Sequence, residues 1–491
     1  MNPTFSFCRN PGTPSRVSYF CAMRKKRAPL IWEGIEVKEA GGKGKSIAEA
    51  PDGKTVLITH AVPGDRVTVR VTKKKRRYWE ARTIAVEKPS PFRVEPRCAH
   101  FGVCGGCKWQ QTAYERQLAF KQEEVSQNLA RIGQVEPQEV LPILGAPEHF
   151  NYRNKMEFSF SSNRWLTEEE MQAGIEDKEH NGLGFHLPGM WDKILDLKEC
   201  HLQAEPSNQI RLFIRNYCIE NGLEFFNPRS QEGLLRTLMI RNSSLGQWMV
   251  LIQFYREEKE KREALLNALT KEFPEISSLL YVINPKANDT LYDLDVHCFA
   301  GKGFIEEEME GLRFKIQPKS FYQTNSEQAY NLYKIVREFA NLQGDELVYD
   351  LYTGTGTIAQ FVAKQAGKVI GIESVPDAID DAKENALNNQ IDNVEFTTGD
   401  MKEVFTADFL SEHGHPDIVI TDPPRDGMHK KVVEQLLRAA PQRIVYVSCN
   451  SATQARDLEM LKEAYTLVKS QAVDLFPHTH HIENVVLLER C

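Results

Sequence analysis

Residues 444–450 read IVYVSCN, an apolar run that ends on a thiol, Cys449. Open α/β sheets place their chemistry just outside the carboxyl ends of the strands. A cysteine there is either a nucleophile or, as free cysteines often are, a small buried hydrophobe. A second group sits in the same kind of place. Asp422 follows PDIVIT and opens DPPRDG, where two prolines stiffen the turn around a carboxylate.

A cofactor pocket is readable in the segments before it. VYDLYTGTGTIA puts Asp350, Gly354 and Gly356 at a strand–turn–helix junction. Glycines there let the backbone approach a ligand, and the following helix offers unpaired N–H groups. Glu373 ends the next apolar run, KVIGIE, where a carboxylate accepts from ribose hydroxyls. Asp400 closes VEFTTGD and is expected to reach an adenine edge. The turn lacks the third glycine of the dinucleotide fingerprint and any GK[ST], which leaves S-adenosylmethionine as the best-fitting ligand. Asp422 would then be a rigid carboxylate beside a methyl donor. Arg425 stands where enzymes that methylate exocyclic amines carry an aromatic ring, and no cysteine adjoins the prolines as in 5-methylcytosine enzymes.

RCAHFGVCGGCKWQQ carries three more thiols, Cys98, Cys104 and Cys107, with glycines that let the loop curl. Three cysteines so close indicate a metal site, and thiolate count alone leaves zinc and iron–sulfur both open. The Cx₃Cx₂C spacing of radical enzymes is absent.

The elements that must position these groups fall into regions. The chain has 491 residues, too many for one core, with 41% hydrophobic and 26% charged residues. Ten cysteines are too few for a disulfide scaffold, and no stretch is apolar enough for a membrane span or a secretory signal. A reducing, cytoplasmic setting is therefore expected. Residues 1–27 are expected to be a tail, or an upstream extension of a frame that begins at Met23. Residues 28–90 alternate short strands with Gly-rich turns, the pattern of a small β-barrel. The formal charge is −7 overall, yet residues 24–88 hold 17 Lys and Arg against 8 Asp and Glu. That basic end suits a polyanion. Lys73–Arg77 followed by Tyr78 and Trp79 joins phosphate-pairing cations to flat rings, which reads equally as an RNA-gripping tip or a solvated charge run above a core tryptophan. Residues 91–310 are mixed α+β. From 311 to 491 strands alternate with helices, which implies a doubly wound, mainly parallel sheet.

Taken together, SFYQTN (320–325), DLYTGTG (350–356), DPPRDG (422–427), VSCN (447–450) and DLFPHTHHIENVVLL (474–488) resemble the RNA uracil-5-methyltransferase family, and specifically its iron–sulfur 23S ribosomal RNA branch, over residues 28–491. The resemblance implies a TRAM barrel, a central iron–sulfur domain and a Rossmann-like methyltransferase domain. It implies Cys449 as nucleophile and Glu483 as general base, with desolvation at the start of an apolar strand raising the carboxyl toward a useful range. Asp422 and Gln323 match positions that hold the target base or the cofactor. Tyr352 and Thr357 occupy places where relatives often have Phe and Asn. Cys200, in LKECHL, matches the fourth ligand of a [4Fe–4S] cluster with Cys98, Cys104 and Cys107. Arg153 and Lys155, in YRNKMEFSF, read equally as phosphate contacts or as solvated surface charge. The implied partner is RNA, 23S ribosomal RNA before transfer RNA, with no membrane, no obligate protein partner and a monomeric chain. A non-catalytic RNA-binding or assembly factor is the rival, and the joint presence of Cys449 and Glu483 speaks against it.

Overall fold

The computed structural model describes residues 28–174 and 180–491; the expectations for residues 1–27 fall outside them. Five strands between Ile31 and Lys88 close into a barrel. Alternate residues point inward, as the period of two requires: Val56 and Ile58, then Val67 and Val69, then Trp79 and Ala81 are buried. Trp79 therefore belongs to the barrel core. Its indole N–H donates to Asp52 at 3.1 Å, and Trp32 meets its ring edge-on at 5.3 Å. Lys73–Arg77 remain exposed at the hairpin tip, so the cations are available to a polyanion while the tryptophan is not a free stacking surface.

The middle of the chain builds a seven-stranded sheet centred on Trp248–Phe254, Leu235–Asn242 and Lys155–Ser161. All seven residues of WMVLIQF are buried, the signature of a strand covered on both faces.

The third sheet carries the chemistry. Its eight strands run in the order Val394–Thr398, Lys368–Glu373, Leu347–Leu351, Ile418–Thr421, Arg443–Ser448, Glu483–Arg490, Tyr465–Val473 and Glu139–Leu144. The first five are parallel. The last strand of the chain then inserts antiparallel between Arg443–Ser448 and Tyr465–Val473. The eighth strand comes from early in the sequence and pairs parallel with Tyr465–Val473. Residues 114–144, grouped by sequence with the middle of the chain, thus complete the C-terminal sheet: the helix Tyr114–Asn128 contributes Val125 to the core cluster that holds Ile444 and Tyr446. The opposite face is covered by Ser326–Ala340, whose Leu332, Val336 and Phe339 are buried and whose first turn is capped by the Asn325 side chain. Among the described residues no helix is long and apolar enough to cross a membrane.

Candidate active site

Strand register brings the two reactive groups together. Arg443–Ser448 ends at its carboxyl end where antiparallel Glu483–Arg490 begins, with Ser448 opposite Asn484. Cys449 follows Ser448 and Glu483 precedes Asn484, so both stand at this end of the ladder, close enough for the Glu483 carboxylate to act on the thiol. No parallel strand could do this, because its start would lie at the far end of the sheet. The turn after Cys449 is pinned separately: the Asn450 side chain donates to the Arg425 carbonyl at 2.9 Å and accepts from Ala452 N–H at 3.2 Å.

The site is strongly desolvated and acidic. Burial pushes the Cys449 thiol up to about 11, with Glu483 and Asp422 adding to the shift and Arg425 opposing it. Burial holds Glu483 well above the ordinary carboxylate range, Asp422 adds to this, and Arg425 again opposes. Asp422 itself is raised to about 7, by burial and then by Asp350, and burial likewise raises Asp350 to about 7. Burial thus disfavours the charged form of all four groups, and a positive charge entering the site favours thiolate and carboxylate together.

Cys449, Glu483, Asp422, Gln323, Tyr352, Gly354, Thr357 and Glu373 all line one cleft of about 1650 Å³. A site for one small ligand is typically ~300–1,000 Å³, so this cleft has room for more than one such ligand. Its glycine turn is built as the sequence requires. Gly356 has φ +73°, and a Cβ there would lie 2.8 Å from the Phe396 ring and 2.9 Å from Ala382. Tyr352 also takes a left-handed φ of 65°. Glu373 accepts from Gly354 N–H at 3.1 Å and, through its other oxygen, from Ser374 N–H at 2.7 Å, which closes the floor of the turn. The loop bearing Gln323 is held from the central sheet. Buried Arg241 donates to the Gln317 and Ser320 carbonyls at 3.2 and 3.1 Å, and Asn154 donates to the Gln323 carbonyl at 2.8 Å.

Asp400 caps the short helix Met401–Val404, accepting from Lys402 N–H at 3.2 Å, and pairs with the Lys402 ammonium at 2.8 Å. It is not among the residues lining the cleft, but its charge acts on Tyr352, which is. Arg425, by contrast, was visible in DPPRDG without an assigned task, and it is the cation acting on both Cys449 and Glu483. Phe476, His481 and Arg153 also line the cleft. Arg153 lies 5.3 Å over the Phe476 ring. Lys155 is paired with Glu157 at 2.7 Å.

The four remaining cysteines of interest lie elsewhere. Cys98, Cys104, Cys107 and Cys200 are free, half-buried and line a second cavity of about 690 Å³, which Arg153 also borders. Burial raises Cys107 to about 12 and Cys200 to about 11, and in each case neighbouring cysteines of the set raise it further. Gln110 links the loop internally, donating to Cys107 Sγ at 3.1 Å and accepting from Cys98 N–H at 3.1 Å. Among the described residues, no group of three or more His, Cys, Asp or Glu is arranged to hold a metal ion.

A sheet with a nucleotide-type glycine turn, ending in an aspartate, a thiol and a glutamate around one cleft, defines an enzyme of the class I methyltransferase type with an appended barrel. The family described as tRNA (Uracil-5-)-methyltransferase matches residues 298–491, and the TRAM domain matches residues 34–84. Over 463 residues the chain is 56% identical to an uncharacterized RNA methyltransferase of Porphyromonas gingivalis, covering 93% of this chain and 99% of the relative. An uncharacterized RNA methyltransferase of Chlorobaculum tepidum is 39% identical, over 93% and 96% of the two chains. Among solved structures, the Pyrococcus abyssi tRNA (uracil-54, C5)-methyltransferase in complex with S-adenosyl-L-homocysteine superposes with a TM-score of 0.72 at 29% identity, covering 93% of this chain and all of that one. The chain belongs to the RNA (uracil-5-)-methyltransferase family, and it is an S-adenosylmethionine-dependent RNA methyltransferase.

Proposed function

We propose that the protein methylates carbon 5 of one specific uridine in RNA, with Cys449 as nucleophile and Glu483 as general base. The observation that supports this reading is that Cys449 and Glu483, flanking the Ser448–Asn484 pair at one end of the ladder, line the same cleft and act on each other electrostatically. Carbon 5 of uracil is too poor a nucleophile to take a methyl group unaided. Addition of the Cys449 thiolate to carbon 6 forms an S–C bond and moves the ring electrons to an enolate whose carbon 5 attacks the sulfonium methyl. S-adenosylmethionine leaves as S-adenosylhomocysteine. Glu483 then takes the carbon-5 proton, the 5,6 double bond re-forms, and the S–C6 bond breaks to release the thiolate. Sulfur serves both steps because it is strongly nucleophilic when ionised and leaves readily.

The chain's own residues supply the conditions. Arg425 opposes the acidic neighbours of the thiol, and Asp422 and Gln323 offer hydrogen-bonding edges to a ring that presents both donors and acceptors. Glu373, Tyr352, Gly354 and Thr357 form the cofactor side of the cleft. The target atom is inaccessible in a stacked base, so the uridine must be extruded into the cleft or offered by an unpaired loop. The exposed rings of Tyr292 and Phe321 at the cleft rim suit neighbouring bases, and the cations Lys73–Arg77 suit the backbone.

We assign Cys98, Cys104, Cys107 and Cys200 to a [4Fe–4S] cluster, which would hold the loop and contribute to RNA positioning. The four thiols line one cavity, and Cys104 and Cys107 each receive an N–H···S bond, a donor set that suits a thiolate-held inorganic core. The polar mechanism requires no electron transfer from it. Iron and acid-labile sulfide in anaerobically purified protein test this, and stoichiometric zinc in their place overturns it.

Ribosomal RNA of the 23S type is the first-choice substrate, on the four cysteines and the barrel together. The whole-length likeness to a solved tRNA enzyme favours transfer RNA as the second reading. Mapping 5-methyluridine in both RNAs from cells with and without the gene separates them. A covalent, denaturant-stable complex with 5-fluorouridine RNA tests the chemistry, and failure of the intact protein to form one on its substrate RNA overturns it.

A further inference from the structure

Nine residues, 474–482, join the strand Tyr465–Val473 to the strand that opens on Glu483. They have no helix or strand structure, yet most are buried. Their backbone groups are claimed from several sides. Lys121 Nζ pairs with Asp474 at 2.6 Å, both side chains fully buried, and Tyr114 OH donates to the other Asp474 oxygen at 2.9 Å. Asn325 donates to the Leu475 carbonyl at 3.0 Å, and Tyr152 OH donates to that of Pro477 at 3.0 Å.

His478 is the tightest point. It is buried and has a left-handed φ of 64°, a conformation that histidine adopts more readily than most residues with a Cβ. Its carbonyl accepts two N–H bonds from consecutive residues of the cysteine loop, Lys108 at 2.8 Å and Trp109 at 3.0 Å, immediately after Cys107. Its own N–H donates to Gln117 Oε1 at 2.9 Å. Gln117 is fully buried, and its Nε2 group lies 2.8 Å from the Thr112 carbonyl, 3.1 Å from that of Trp109 and 3.3 Å from His478 Nδ1. One side-chain amide thus joins the end of the cysteine loop to the segment leading to Glu483. Bonds to both its carbonyl and its N–H over-determine the backbone of His478.

We propose that Gln117 and His478 are positioning residues: they tie the cysteine loop to the segment that enters at Glu483, and they govern proton abstraction from carbon 5 more than thiol addition to carbon 6. This rests on the reading of Glu483 as general base. Cys449 shares a ladder with the strand of Glu483 but has an anchor of its own in the Asn450–Arg425 bond, so loosening the clamp at the entry to Glu483 displaces the base more than the nucleophile.

The two half-reactions are separable. When carbon 5 keeps its proton after methyl transfer, the S–C6 bond cannot break, and methylated RNA stays attached to the enzyme even with ordinary uridine as target. In Gln117→Leu we expect turnover to fall roughly 10- to 100-fold, the scale of a small misplacement of a catalytic group. Denaturant-stable adduct should accumulate on unmodified substrate RNA, while adduct formation on 5-fluorouridine RNA stays within about 3-fold of the parent. His478→Ala should behave likewise. His478→Asn should restore release, because asparagine tolerates positive φ and offers an amide near Gln117. Parallel loss of addition and release in folded Gln117→Leu or His478→Ala overturns the proposal, as does unchanged release in both. If Gln117→Leu does not fold, the contrast between His478→Ala and His478→Asn decides alone. Failure of the parent protein to trap 5-fluorouridine RNA would instead overturn the reading of Cys449.

Discussion

Two sets of cysteines in this chain are built by opposite means. Cys449 stands alone at the end of a fully buried strand, and its chemical partners reach it through sheet register. The other four hang from irregular segments and are gathered by side-chain hydrogen bonds such as those of Gln110 and of Asn208, which accepts from Cys200 N–H at 2.8 Å. A strand end fixes one atom to the precision of a backbone ladder, as a displacement reaction demands. If the four are metal ligands, as proposed, they need only to be close, since the bond itself completes the ordering. Burial raises the thiols of both sets; beyond that, carboxylates add to the shift of Cys449, whereas in Cys107 and Cys200 the other cysteines do.

One substitution applied to both sites gives the widest contrast. Cys449→Ser should lower methylation by at least about 10⁴-fold and abolish trapping of 5-fluorouridine RNA, with the melting temperature unchanged. Glu483→Gln should cost about 10²–10⁴-fold in turnover while leaving methylated RNA covalently attached, which gel electrophoresis under denaturing conditions reads directly. Cys107→Ser belongs to the other pattern: iron content and melting temperature fall, and turnover drops by only about 10-fold once the loop loosens its hold on His478.

The smallest effect sharpens the electrostatic half of the comparison. Because the thiolate is the reactive form and burial pushes the Cys449 thiol up to about 11, the trapping rate should rise with pH from 6 to 9 by up to about tenfold per unit. Arg425→Gln removes the opposing cation and should move that profile to higher pH, slowing trapping several-fold at pH 7.5. A flat profile would mean that the thiol is already ionised in the RNA complex.

Much of the site was legible because its residues end strands, and strand ends announce themselves as apolar runs that stop on a polar residue. Cys449, Asp422 and Glu373 were found in that way, and the cleft gathers all three. Asp400 also closes a strand, but a carboxylate in that position can equally cap the next helix, and local sequence does not separate the two outcomes. The antiparallel insertion of Glu483–Arg490 was not readable, since periodicity fixes the face of a strand and says nothing of its neighbour. Gln117 was invisible for a related reason. It looks like any polar residue of an amphipathic helix until the fold places it beside a segment more than three hundred residues away.

The strand Glu139–Leu144 has a further bearing on how the chain comes to its final shape. The outermost strand of the catalytic sheet is synthesised long before the strand it must join, Tyr465–Val473, so assembly of that layer waits for nearly the whole polypeptide. A fragment limited to the family-matched residues 298–491 would leave Tyr465–Val473 as a naked border open to pairing with other molecules. Natural or engineered splitting of the gene between these halves would therefore yield two insoluble products, and co-expression of both pieces is the arrangement in which either should survive.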